Sequence, residues 1–382
     1  MFRRLTIRNF RSIEDATVEL GKFTVVVGPN GSGKSNFVDA LVFVRDLAKD
    51  AEQAVATRGG FGSVLRRGSE RPFVHLELLL SANEKSNDTD HLHYRMDARA
   101  DTANDWRFHR EHATVVTKGE ATVEVERLPS GGTIRRTNGE SRFQLDPRAS
   151  ALTLARQNGL IPAKYRSPLL DVRRYRLDPE AMRRPPERTE DTILQENGAN
   201  LATVVGQLRA AGEIGRTIDV MRRVIPGLRD VRSIAAGGHD VLEFEQKLAG
   251  GIHTFPASAM SEGSLRALAV VIAAQQVRKG QMLVIEEPEA NVHPGVAALV
   301  YDVLEEASQR GDVLITTHSP DLLDAAKDET ILVCSATEGV TRIGPLDSSQ
   351  RQLVREGLFR LAELMRAEPL RIEGDEPETV DP

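Results

Sequence analysis

The chain has 382 residues, 40% of them hydrophobic, and a formal net charge of −6. The acidic balance excludes a uniformly basic coat for nucleic acid, and an aromatic content of 4% argues against a platform for base stacking. A single cysteine, Cys334, excludes an intramolecular disulfide framework and a multi-cysteine zinc site. Because the sequence shows neither a signal peptide nor an apolar run of membrane-spanning length, we expect a soluble, cytoplasmic protein.

The N-terminal segment predicts a strand, a glycine-rich loop and a helix. An apolar strand over Phe23–Val27 leads into the loop Gly28–Ser35, and a helix with one apolar face follows over Asn36–Arg45. The loop, GPNGSGKS, satisfies the GxxxxGK[ST] pattern, in which backbone N–H groups wrap phosphates at a helix N-terminus. The flanking strand and helix favour this interpretation over a simple glycine-rich turn. The predicted phosphate and Mg²⁺ ligands are Asn30, Gly31, Ser32, Gly33, Lys34 and Ser35.

The central part of the chain changes character twice. Short alternating stretches over residues 73–145 predict an antiparallel meander, and residues 150–225 predict mainly helices. The α/β alternation returns from Ser261 to about Cys334. We therefore predict a single head, 1–382, with an α/β nucleotide-binding lobe at 1–150 plus 281–350, a helical lobe at 151–280 and a disordered acidic tail at 371–382.

A second apolar strand ends abruptly in carboxylates. The run Gln281–Ile285 is followed by Glu286 and Glu287, and ligands of parallel sheets gather at the carboxyl ends of strands. By position, Glu286 would hold Mg²⁺ and Glu287 would act as the general base on a water. The alternative is a solvated strand end, where acidic residues are common. The phosphate loop favours the functional interpretation.

Two further motifs have both a functional and a structural interpretation. A third strand, Val313–Thr317, ends at His318, which could hydrogen-bond a γ-phosphate, although an isolated histidine is more often structural. Ser261 and Gly263 lie at the start of an apolar helix, where a serine cap and free N–H groups could form a second anion site. Taken by itself, the motif favours a simple N-cap over an anion site, because serine is a common cap.

Together these motifs resemble a known group of proteins. The motifs are Asn9–Ser12, GPNGSGKS, Ser261-x-Gly263, IEEPEANVHP at Ile285–Pro294 and TTHSP at Thr316–Pro320. They resemble the ABC-type ATPase heads of the SMC, RecF and OLD group, most closely the short, stand-alone AAA-type ATPases of bacteria. The resemblance implies an α/β P-loop NTPase of ABC-head type, with a mixed sheet, an antiparallel meander and a helical lobe.

The resemblance also implies how the site works. In this group two heads enclose two ATP molecules with Mg²⁺, so Ser261 and Gly263 would act on the partner's nucleotide and Asn291 would lie at the dimer interface. Glu287 would position water, and His318 would be the switch histidine. Glu286 stands where the group usually has aspartate, which weakens the case for direct metal contact. The glutamine loop of this group is not assigned in this sequence. Gln53 lies in about the right interval, but it is better explained as a surface residue.

Departures from the group pattern narrow the function. SEGSLR replaces the transporter signature LSGGQ, which argues against a transporter subunit, and no sustained heptads or appended nuclease domain are evident. We expect a homodimerising ATPase without membrane partners, DNA-associated in genome maintenance or anti-phage defence, with a separately encoded nuclease or toxin effector. The alternative is an ATP-gated switch for a partner protein without DNA. The basic segment 164–188 could contact DNA, but interleaved acids favour a salt-bridged face at least as strongly.

Overall fold

The computed structural model describes residues 2–70, 72–81, 90–100, 105–117, 122–136, 139–324, 326 and 331–375. Most strands belong to one mixed sheet. Its strands are β1 (Phe2–Phe10), β2 (Ile13–Glu19), β3 (Phe23–Val27), β4 (Phe73–Ser81), β5 (His91–Ala100), β6 (Trp106–Val116), β7 (Val123–Leu128), β8 (Gly131–Arg136), β9 (Gly139–Phe143), β10 (Val172–Tyr175), β14 (Met282–Glu286), β15 (Asp312–Thr317), β16 (Ile331–Thr337) and β17 (Val340–Pro345). A second sheet contains β11 (Leu228–Ala236), β12 (His239–Leu248) and β13 (Gly251–Pro256).

The helices are distributed along the whole chain, and most of them pack against the sheets. They are α1 (Lys34–Lys49), α2 (Ala51–Ala56), α3 (Phe61–Val64), α4 (Ala151–Gln157), α5 (Ala163–Leu170), α6 (Pro179–Arg183), α7 (Leu201–Ala210), α8 (Ile214–Val224), α9 (Glu262–Gln275), α10 (Pro294–Ser308), α11 (Pro320–Leu323), α12 (Ser348–Arg355) and α13 (Leu361–Ala367). In the part of the chain that the structure describes, none is long and apolar enough to cross a membrane.

Five neighbouring strands of the large sheet run parallel, in the order β10, β14, β15, β3, β16. Every residue of β3, β14 and β15 is buried. Consecutive residues join different hydrophobic clusters: Val26 packs in one, and Val25 and Val27 pack in the other. This two-residue period means that helices cover both faces, so only the strand ends are open for chemistry.

The remaining strands of the large sheet are mainly antiparallel. β4 to β9 follow one another in sheet order and pair antiparallel, so the predicted meander is confirmed. β1 joins the meander to the rest of the sheet, because it pairs with both β2 and β4. The structure thus places the meander far along the sheet from β14 and β15.

The segment 151–280 is not purely helical, so this part of the prediction was wrong. It contains β10 of the large sheet and the whole second sheet. Gly237 and Gly238, both with positive φ, form the two-residue turn between β11 and β12. Val231 and Phe244 are opposite each other and fully buried, and α7 and α8 cover this face. Two adjacent glycines between alternating stretches are the signal for this hairpin in the sequence.

The described part of the predicted disordered tail is ordered, which corrects that prediction for 371–375. The Asp347 amide donates to the Arg371 carbonyl at 2.9 Å, and Ile372 is buried in the second hydrophobic cluster. An apolar side chain gives this acidic segment surface to bury. Residues 376–382 lie outside the described residues.

Candidate nucleotide-binding site

The glycine-rich loop connects the end of β3 to the start of α1. Gly31 and Gly33 have φ values of 79° and 102°, in the left-handed region that favours glycine. No side chain caps the N-terminus of α1, which leaves its first N–H groups available to an anion. Lys34 is buried, and its Nζ donates to the carbonyls of Gly28 at 2.7 Å and Pro29 at 2.9 Å. The Lys34 side chain therefore lies along the loop.

The loop packs so tightly on β16 and β17 that two of its glycines cannot carry a side chain. A Cβ on Gly28 would lie 2.0 Å from the Cys334 carbonyl oxygen, and one on Gly33 would lie 2.0 Å from Thr341 Oγ1. Cys334 Sγ and Thr341 Oγ1 both donate to the Ser32 carbonyl, at 3.2 Å and 3.0 Å. Burial raises the pKa of the Cys334 thiol to about 11. The cysteine is therefore a neutral donor that holds the loop.

The Asn9–Ser12 motif supports the loop and α1 from the other side. Ser12 Oγ accepts from Asn36 Nδ2 at 2.6 Å and lies 2.7 Å from Thr341 Oγ1. Arg11 Nε lies 2.7 Å from Asp39 on α1. The motif therefore has a positioning role that its sequence alone did not reveal.

Glu286, at the end of β14, connects directly to the phosphate loop. The Ser35 hydroxyl donates to Glu286 Oε2 at 2.6 Å. Oε1 is buried without a hydrogen-bond partner, although Arg176 Nε lies 3.2 Å from it as an ion pair. A hydroxyl beside a carboxylate that has an unsatisfied oxygen is an oxygen donor set, the kind that Mg²⁺ prefers. The residues therefore fit the metal that the motif implies.

Glu287 and His318 meet at the ends of neighbouring strands. Glu287 has φ of 48°, which is rare for a glutamate, and its N–H donates to the Thr316 carbonyl at 3.0 Å. His318 Nδ1 lies 3.0 Å from Glu287 Oε1, and both side chains are partly exposed. The unusual backbone turns the carboxylate out of the strand direction, toward the histidine and solvent.

Glu289 was not among the predicted site residues, yet it holds the same turn. It is buried and accepts a hydrogen bond from Thr317 Oγ1. Burial raises the pKa of the Glu289 carboxyl, although the Thr317 hydrogen bond opposes the shift. The contact ties the Glu287 turn to the end of β15.

The predicted signature residues form a separate patch with the segment after Glu289. Ser261 caps α9, with Oγ accepting from the Ser264 N–H at 3.2 Å. A Cβ on Gly263 would lie 2.3 Å from the Asn291 carbonyl oxygen. Asn291 Nδ2 donates to Glu262 Oε2 at 2.7 Å, and both Ser261 and Asn291 are exposed. Ser261, Gly263 and Asn291 thus lie together.

The predicted site residues therefore fall into two groups. Ser35, Glu286, Glu287 and His318 meet at the carboxyl edge of the parallel strands, with Lys34 and the loop residues Asn30 to Gly33 alongside. The signature patch, in contrast, has no hydrogen bond or ion pair to the phosphate loop among the described residues. Gln53 is exposed on α2.

Comparison with known families identifies the chain. Residues 23–324 match the family model described as "AAA domain, putative AbiEii toxin, Type IV TA system". The chain belongs to this family. The match spans the phosphate loop, Glu286, Glu287 and His318, and it ends just after α11.

Curated relatives are DNA-related ATPases and nucleases by name. The OLD nuclease of Thermus scotoductus is 22% identical over 343 residues, 87% of this chain and 61% of that protein. The DNA double-strand break repair Rad50 ATPase of Saccharolobus solfataricus is 33% identical over 100 residues, 26% of this chain and 10% of that protein. The chain spans less than two thirds of the length of either relative.

Solved structures confirm the fold class. The Smc head domain with an extended coiled coil, derived from Pyrococcus furiosus, gives a TM-score of 0.54 at 16% identity and covers 94% of this chain and 99% of that one. An Smc head bound to the C-winged helix domain of ScpA gives 0.53 at 17%, covering 91% and 99%. The chain thus shares the fold of these heads, and the family match and the relatives support the predicted resemblance to the ABC-type ATPase heads of the SMC, RecF and OLD group.

Proposed function

We propose that this AAA-family head binds ATP with Mg²⁺, dimerises around it, hydrolyses it and acts on DNA with a separate effector. The observation that carries the proposal is the junction at the sheet edge, where Ser35 contacts Glu286 and Glu287 contacts His318. Four residues from three strand-end segments converge there. A structural role alone would not require two partly exposed groups, Glu287 and His318, to face each other beside an open helix N-terminus.

Each residue has a role that follows from its position. Ser35 Oγ and Glu286 Oε1 would hold Mg²⁺, which neutralises phosphate charge when it is bound. Burial lowers the pKa of the Lys34 ammonium, against the opposing effect of Glu287 and other acids, and a phosphate anion would favour its charged form. Glu287 would accept a proton from water, with His318 orienting its carboxylate.

Dimerisation is supported by the signature patch. Ser261 and Asn291 are exposed and share Glu262 as a neighbour, so a second head could approach both together. In a dimer of this kind, Ser261 and Gly263 would complete the partner's phosphate site. In the single chain the Ser261 hydroxyl takes the Ser264 N–H, so the remaining N–H groups in the first turn of α9 would be the ones to face an anion.

Light scattering tests the dimer. The Glu287→Gln variant should bind ATP, fail to hydrolyse it and accumulate as a dimer in saturating ATP-Mg²⁺. Lys34→Ala is the matched control, because it should weaken ATP binding and stay in the oligomeric state of the nucleotide-free protein. A Glu287→Gln protein that stays monomeric under these conditions would refute the enclosed-nucleotide model.

DNA association is supported by the names of the relatives, OLD nuclease and Rad50 among them. A second candidate function is a switch that controls a partner protein without DNA. It is supported by the ion pairing of the arginines in the basic segment 164–188. Its arginines are largely ion-paired: Arg174 with Glu196 at 2.6 Å, and Arg188 with Asp240 at 3.4 Å. Paired arginines have less charge to offer to DNA phosphates.

Steady-state ATP turnover distinguishes the two candidates. Wild-type protein is measured with and without duplex and single-stranded DNA at low salt, with Glu287→Gln as the blank. Loss of a positioned base costs about a hundredfold to ten-thousandfold in rate. Stimulation by DNA that fades as salt rises would support the DNA proposal, because phosphate contacts release counterions. Turnover that is indifferent to DNA would support the protein switch.

A further inference from the structure

Arg176 lies beside the proposed metal site, although no motif singles it out. Strand β10 pairs in parallel with β14, with Tyr175 opposite Ile285. Arg176 and Glu286 each follow their paired residue, so they lie next to each other at the carboxyl edge. The Arg176 N–H donates to the Glu196 carbonyl at 2.9 Å, which holds its backbone in place.

The side chain of Arg176 contacts the same carboxylate that contacts the phosphate loop. Its Nε lies 3.2 Å from Glu286 Oε1, while Glu286 Oε2 accepts from Ser35. The geometry at Oε1 is that of an ion pair without a hydrogen bond. The Arg176 side chain is 57% exposed, so its remaining N–H groups face open space at this edge. One carboxylate therefore links an arginine to the loop.

Neighbouring arginines of the basic segment are engaged elsewhere. Arg174 pairs with Glu196 and lies 3.7 Å from Asp39, and Arg183 pairs with Glu180. These contacts are with acids outside the proposed catalytic set. Arg176 differs because its ion-pair partner is a proposed metal ligand.

We infer that Arg176 binds the terminal phosphate of the ATP held by its own chain, and so makes the site prefer ATP to ADP. The inference rests on the proposed ATP-binding function. Glu286 Oε1 is the oxygen that would hold a divalent cation, and the positive charge of that cation would weaken the ion pair between Glu286 and Arg176. The Arg176 guanidinium, released from Glu286, would then be available to the terminal phosphate of a nucleotide held by the neighbouring loop.

Arginine is suited to an exchange between the Glu286 carboxylate and a phosphate as binding partners. Its planar group offers several N–H donors in a fork that matches phosphate oxygens, and it stays charged at every physiological pH. ADP lacks the terminal phosphate, so with ADP the guanidinium keeps Glu286 as its partner. The residue thereby links metal occupancy at Glu286 to the number of phosphates in the nucleotide.

Binding titrations with fluorescent ATP and ADP analogues in saturating Mg²⁺ test the inference. In Arg176→Gln the ratio of ADP to ATP dissociation constants should fall about tenfold to a hundredfold, because a hydrogen-bonded charge pair is lost with ATP alone. Arg176→Lys, which keeps the charge but not the fork, should show a smaller fall. Arg184→Gln, an exposed arginine in the same segment, removes equal charge and should keep the wild-type ratio.

The result that overturns the inference is an Arg176→Gln protein with the wild-type ADP to ATP ratio. Arg176→Lys decides the same point if the glutamine variant does not fold, since an unchanged ratio there also overturns the proposal. Failure of the proposed function looks different, because wild-type protein would then bind neither nucleotide in the presence of Mg²⁺. The two failures are therefore separable in one set of titrations.

Discussion

Replacing Gly263 by alanine should destabilise the protein, although alanine is the better helix former. Gly263 is buried as the second residue of α9. Its new Cβ would lie 2.3 Å from the Asn291 carbonyl oxygen and 3.1 Å from Val292 Cα. Both are backbone atoms, which cannot rotate away as a flexible side chain can. Either α9 or the Asn291 segment must move.

The expected magnitude follows from two opposing effects. Overpacking costs about 1–3 kcal/mol, whereas a glycine to alanine change in a helix contributes about 0.5–1 kcal/mol of stability. Gly215 is a matched control, because it is the second residue of α8, is exposed and has open space around its Cβ position. Gly215→Ala should therefore leave stability unchanged or raised.

Urea unfolding of both variants and the wild type measures the difference. We expect Gly263→Ala to be about 1–3 kcal/mol less stable than Gly215→Ala, since only the first meets a backbone obstacle. ATP turnover should also fall in Gly263→Ala alone, because the displaced segment leads back to Glu287. Equal unfolding midpoints for the two variants would refute the reasoning about the α9 contact.

Three further results are expected. Glu111→Ala should lower the free energy of unfolding, measured in urea, by about 3–5 kcal/mol. The substitution leaves the Arg127 side chain, which is 5% exposed and lies 3.1 Å from Glu111, as a buried charge without its ion-pair partner. A loss below about 1 kcal/mol would contradict this. The Cys334 thiol, with its pKa raised to about 11, should react with a thiol reagent at pH 8 far more slowly in folded than in unfolded protein, and equal rates would count against its burial. Burial raises the pKa of the Glu289 carboxyl above its ordinary 4.5. The protonated carboxyl therefore stabilises the fold fully below pH 4.5, and this stabilisation is lost as the pH rises through the pKa of the folded state. Glu289→Gln should lack this loss, and parallel pH profiles of thermal midpoints would show the expectation to be wrong.

The local prediction was most successful where one short segment carries the signal. The loop that starts at Gly28 joins β3 to α1 as expected, although α1 begins at Lys34 and not at the predicted Asn36. Glycine spacing and an apolar strand are local properties. The antiparallel meander over residues 73–145 was likewise predicted from the alternation of apolar and polar residues. The hairpin of β11 and β12 was missed because the helical pattern before it was extended across two adjacent glycines.

Other residues could not be found from the sequence because their roles depend on partners distant along the chain. Glu289 acts through Thr317, and Cys334 acts through the Ser32 carbonyl. Arg176 was read only as part of a basic segment, because nothing local indicates that β10 lies beside β14. Strand order determines that contact, and strand order is a property of the whole sheet.

The sequence by itself determined the family, the phosphate loop and the identity of the strand-end residues Glu286, Glu287 and His318. Local patterns suffice there, because parallel strands that are buried on both faces are uniformly apolar and end in polar groups. Only the tertiary structure decided which ends meet, since hydrogen-bonded register joins residues hundreds of positions apart. It also brought Arg176 to Glu286 and Gly263 against Asn291, through packing that leaves no space for an added atom.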